Sequence, residues 1–116
     1  VRLVPNWPDY VFNKNYKLNT LAEVENYIKE NKHLPGMPSA KEVEKNGVSL
    51  AAMMIKQTEK IEELTLYIIT QQKQIDELKQ KGEVQNKLLH MLAKQQLSQL
   101  KGKEKKAIME MFEAVK

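Results

Sequence analysis

The sequence predicts a mainly α-helical protein. A small N-terminal cap, formed by a short extended segment and two short helices, precedes a long parallel coiled-coil helix and a helical C-terminal tail. Three observations carry this reading. Gly and Pro together supply 8 of 116 residues, where average usage would give about 14. Neither interrupts residues 50–81. That same segment repeats apolar residues at alternating spacings of three and four, the period of a helical seam. The expected divisions are a cap at 1–48, a coiled-coil helix at 49–81, and a tail at 82–116.

In the cap, Pro5 and Pro8 oppose a helix at the start, and Asp9-Tyr10-Val11-Phe12 reads as a short strand. Five of the seven aromatic residues (Trp7, Tyr10, Phe12, Tyr16 and Tyr27) fall in the first 27 positions. Their natural use is a small packed core. Thr20 and Glu23 have the spacing of a capping box, in which each residue satisfies the other's backbone amide. Leu21, Val24 and Ile28 then share a face, so a helix is predicted over about 21–31. It stops before His33-Leu34-Pro35-Gly36-Met37-Pro38. Ser39 and Glu42 form a second capping box, opening a helix at about 40–46 that turns Val43 inward. Gly47 stands where a left-handed residue ends a helix, and Ser49 is placed to cap the next one.

The long helix carries a heptad with Met54, Ile61, Ile68 and Ile75 at a, and Leu50, Gln57, Leu64, Gln71 and Leu78 at d. Ile at a with Leu at d suits a parallel pair, but two glutamines at d depart from that rule, so the strand number stays open. A glutamine layer needs hydrogen-bond partners, which symmetry mates supply. Leu66, Tyr67 and Ile69 fall at f, g and b, outside the seam. They call for a cover: a broader bundle, the cap, or a returning C-terminal helix. Glu62 and Glu63 read as solvated positions. Gly82 and Gln85 occupy the next a and d, where the register fails. Beyond them Val84, Leu88, Leu89, Met91, Leu92, Leu97 and Leu100 form a further apolar helix. Ile108, Met111, Phe112 and Val115 form a last amphipathic piece. The chain either continues with a change of phase or folds back at Gly82 or Gly102, the fold-back being the favoured reading.

Chemistry is sparse. The chain has no cysteine, which excludes thiol catalysis, disulfides and Cys-ligated zinc. No apolar run reaches the ~18–20 residues of a membrane span. No signal peptide is visible, and a start at Val1 reads as a fragment or a processed product. The net charge of +4 is spread as lysines among glutamates, which describes a solvated helical surface better than a nucleic-acid footprint. His33 and His90 share no metal-like spacing; they read as a loop residue bonding its own turn and a helix-surface residue. Ser39 and Lys41 stand close, but capping accounts for Ser39. Helix-exterior carboxylates such as Glu62 and Glu63 lack a pocket to shift them. No catalytic, cofactor-binding or metal-ligating residue is therefore assigned, no cofactor is expected, and the chain reads as no enzyme. Trp7, Tyr10, Phe12, His33, Leu34 and Pro35 are the candidate docking residues of the cap.

Several blocks follow one another in an ordered series. They are Pro8-Asp9-Tyr10-Val11-Phe12, Tyr16-Lys17-Leu18, Leu21-Ala22-Glu23-Val24-Glu25, Ile28 through Pro35, Pro38-Ser39-Ala40, and Lys60 through Tyr67. Over about residues 7–80 the chain resembles the C-terminal region of bacterial tail-fibre-domain-like, or cell-wall-anchor-like, surface proteins. The resemblance implies an exported, fibrous, trimeric protein at the cell surface or outside the cell, with this segment at its C-terminal end. It implies no biochemical activity here. Some tail-fibre proteins end in a self-cleaving domain with a Ser-Lys dyad, but its motif has no match in this chain.

The expected function is structural: a homotrimer that ends a fibre or adhesin-like surface protein and displays upstream domains together. The expected partner is the chain itself, with neither nucleic acid nor membrane insertion. The alternative is a docking module, whose cap binds another surface, envelope, export or anchoring component.

Overall fold

The structure, a computed structural model, describes residues 3–100 and 102–115, and among them it contains helices and no strand. In chain order come a 3-10 turn at Tyr10–Phe12, α1 (Leu21–Asn31), α2 (Ala40–Asn46), α3 (Leu50–Leu97) and α4 (Gly102–Ala114). The chain divides into two compact units, Val1–Thr70 and Gln71–Lys116, so α3 begins in the first and ends in the second.

Local chemistry sets the ends of α1 and α2. Thr20 Oγ1 accepts from the Glu23 amide at 3.1 Å, and Glu23 Oε1 accepts from the Thr20 amide at 3.4 Å. Ser39 and Glu42 repeat the arrangement at 3.1 and 3.4 Å. Each cap side chain contributes about 1 kcal/mol. Lys32 ends α1 in the left-handed region at φ +62°. His33 Nδ1 then donates to the Leu34 carbonyl at 3.0 Å, and its ring stands edge-on to Tyr27. Gly47 ends α2 at φ +70°, where a side chain would be strained. Ser49 Oγ accepts from the Ala52 amide at 3.3 Å and so caps α3.

Residues 9–12 are not a strand. The Phe12 amide bonds the Asp9 carbonyl, and the Asn13 amide bonds that of Tyr10, both at 3.1 Å. With no neighbouring strand to pair with, the segment satisfies its backbone groups internally as a 3-10 turn. Beside and within this turn Pro8 and Val11 are fully buried, Val11 at 2% exposure. The aromatic residues contribute less than expected: Trp7 and Phe12 stay half-exposed, and Tyr10 and Tyr16 reach α3 through their hydroxyls.

In the second unit α3 runs through Gly82 without a break and ends at Leu97. The Gln99 and Leu100 amides bond the Gln96 and Leu97 carbonyls at 3.1 Å, closing a tight turn over the buried Leu97. α4 then returns beside α3, where the Phe112 ring meets His90 edge-on at 4.8 Å. Nothing lies within 4 Å of the place where a Gly82 Cβ would stand. Gly82→Ala is therefore expected to raise stability by about 1 kcal/mol per chain, read as a higher midpoint in thermal unfolding followed by circular dichroism.

Candidate functional site

The heptad and the cap divide the first part of α3 between two stripes. In the first unit Leu50, Met54, Gln57, Ile61, Leu64 and Ile68 are all exposed. In the second unit the same holds for Gln71, Ile75 and Leu78. The apolar members range from 45% exposure at Ile75 to 81% at Leu50. Nine consecutive a and d positions thus lie bare on a single chain.

The cap occupies the outer face of α3. Tyr10 donates to Glu59 Oε2 at 3.0 Å. Tyr16 donates to Glu63 Oε2 at 2.6 Å and to Glu59 Oε1 at 3.2 Å. The Tyr67 hydroxyl donates to the Asn19 carbonyl at 2.5 Å. Lys60 Nζ pairs with Glu63 Oε1 at 2.9 Å. The loop after α1 crosses above, with Gly36 beside the Lys60 side chain. Val24, Leu34, Pro35, Leu64 and Tyr67 help to line a cleft of about 70 Å³ between cap and helix. In heptad terms Glu59 and Leu66 are f, Glu62 is b, Glu63 is c and Tyr67 is g, which places them mainly on the side of α3 away from a and d. Leu66 and Tyr67 are partly covered there, whereas Ile69 remains 45% exposed.

Two carboxylates expected in solvent are not there. Glu62 is 8% exposed, and Glu63 is largely enclosed by Tyr16 and Lys60. Burial, then the neighbouring Asp9 carboxyl, then Glu59, hold the Glu62 carboxyl above its usual 4.5. Burial and the facing Glu63 and Glu59 carboxylates push the Tyr16 phenol far above its ordinary value. Tyr10 is raised by burial and by Glu59, and Tyr67 by burial and the charges of Glu63 and Glu23. A phenol that donates to a carboxylate resists ionisation, so these hydroxyls remain donors at neutral pH. The sequence signal for this junction was present but unread: Glu59, Glu62, Glu63 and Leu66 recur at helical spacing on one face, opposite a block of tyrosines.

The six candidate docking residues do not share one environment. Trp7, Phe12 and Leu34 are exposed, while Tyr10, His33 and Pro35 are half-buried and engaged inside the cap. In the second unit, the unbroken helix changes the reading of the register at Gly82 and Gln85. Leu89 and Leu92 lie fourteen residues beyond Ile75 and Leu78, so they occupy a and d in the same phase, and both are exposed. The register passes over one weak heptad instead of ending. Beside it, His90, Ile108, Met111, Phe112 and Val115 line an apolar groove of about 400 Å³ between α3 and α4.

No described helix is long and apolar enough to cross a membrane. A scan against protein-family models, a search of curated proteins and a search of solved structures each found no match.

Proposed function

We propose that the chain is a structural oligomerisation module at the C-terminal end of a fibrous or surface-exposed bacterial protein. The observation that supports this reading is the exposed stripe: the a and d residues of α3 from Leu50 to Leu78 stay exposed, Leu64 at the border of the cap included, while the cap bonds the outer stripe. The two polar layers favour parallel chains in register, because Gln57 and Gln71 then meet their own copies and find hydrogen-bond partners. Three chains is the number that the tail-fibre-like resemblance implies. Joining three copies would raise the avidity of whatever domains precede the cap.

Light scattering coupled to size exclusion over a range of concentrations tests this. The expected mass is three times 13.5 kDa. Two chains would correct the strand number, and a single chain at every concentration would overturn the proposal.

The half-exposed Trp7 and Phe12 favour a second reading, in which the cap docks an envelope or anchoring component. Full-length chain should then sediment with purified cell-envelope fractions, and Trp7→Ala with Phe12→Ala should release it. Equal retention of the variant removes that reading.

A further inference from the structure

The junction between cap and α3 is acidic. Asp9 from the N-terminal segment adjoins Glu62 on α3, Glu59 and Glu63 stand beside it on the same helix, and Lys60 is bonded to Glu63. Three of these acids have evident roles or freedom. Glu59 accepts from Tyr10 and Tyr16, Glu63 accepts from Tyr16 and Lys60, and Asp9 is exposed.

Glu62 is different. It is more than nine-tenths buried, its Oε1 has no hydrogen-bond partner, and the Asp9 carboxyl lies beside it. Two ionised carboxylates cannot hydrogen-bond, because neither carries a donor. The contact closes only when one of them holds a proton. Among the described residues no three acidic or imidazole groups converge to hold a metal ion in its place.

We propose that a proton carried by Glu62, and donated to Asp9, latches the cap onto α3, so that the cap loosens as the medium becomes less acidic. The groups acting on Glu62 are Asp9 from the N-terminal segment and Glu59 from its own helix, and both favour the protonated form.

The direction follows from linkage. The seated cap binds this proton more tightly than the released cap, where Glu62 titrates near 4.5. Below that value the contribution is fully present. It declines as pH rises from there through the raised value of the seated pair, and is constant above it. This latch lies on the outer stripe of α3, so it stands or falls independently of the assembly proposal.

Trp7, the only tryptophan, adjoins Pro8 and Asp9 and reports on seating. Acrylamide quenching of its fluorescence is measured in the full chain from about pH 4 to about pH 8. Quenching of the wild type is expected to increase with pH. Glu62→Gln should remain flat and protected, because a neutral amide donates to Asp9 at every pH. Asp9→Asn should likewise lose most of the pH response, because its amide donates to an ionised Glu62. A wild-type profile in Glu62→Gln, or no pH response in the wild type, overturns the proposal. If Glu62→Gln loses its helical circular dichroism, Asp9→Asn decides alone, and a wild-type pH profile in that variant is then fatal. Masses are measured at both ends of the range. A change of mass shared by the wild type and Glu62→Gln assigns the response to assembly and also overturns the latch.

Discussion

The double variant Ile61→Asp with Ile68→Asp is expected to run as a single chain, in place of the oligomer proposed for the wild type. Both residues are exposed a positions on the isolated chain, 61% and 63% respectively. In a parallel assembly each would be buried against its own copies. Truncating a buried isoleucine costs about 2–5 kcal/mol. An aspartate adds the desolvation of a charge and repulsion from identical charges in the same layer. Two such layers in every chain exceed what the remaining seam can offset. Because both positions face away from Tyr10, Tyr16 and their glutamate acceptors, Trp7 emission should stay unchanged. Sedimentation velocity reads the mass, and a wild-type profile for the double variant would remove the seam assignment.

Val11→Asp should act in the opposite sense, releasing the cap and sparing the assembly. Val11 is 2% exposed and is among the few fully buried side chains of the first unit. Its loss empties the small core beneath the 3-10 turn, and the introduced carboxylate lies close in sequence to Asp9, which already faces Glu62. An unpaired buried charge costs several kcal/mol, a large fraction of any cap stability built on so few buried groups. The expected signs are a red-shifted Trp7 emission and faster amide exchange over residues 9–31, with the oligomer mass kept. Loss of mass in this variant would show that the cap also holds the chains together.

Much of the fold was legible because it is local. The two capping boxes name their own helices, since Thr20 with Glu23 and Ser39 with Glu42 satisfy amides only a few residues away. The seam was legible for a related reason: a seven-residue repeat specifies a stripe whatever covers the rest of the helix. Of the two glycines offered for a fold-back, the return comes just before Gly102, and Gly82 stays helical because its cost is small. About 1 kcal/mol is easily absorbed by a helix with good formers on both sides, and the composition of the sequence does not weigh the two.

Glu62 and Glu63 are the positions that misled. A charged residue outside a seam is normally solvated, and only the docking of a distant segment reverses that. Tyr10 and Tyr16 lie 49 and 47 residues before their partners Glu59 and Glu63 in the chain. No local pattern links them. The sequence by itself determined the helices, their caps and an unpartnered a/d stripe, because short-range hydrogen bonds and a fixed period suffice for these. Long-range packing placed the cap on the outer stripe, set Glu62 against Asp9, and turned the chain back at Leu97–Leu100. Those outcomes depend on long-range burial and on pairing between groups whose proximity no spacing in the chain encodes.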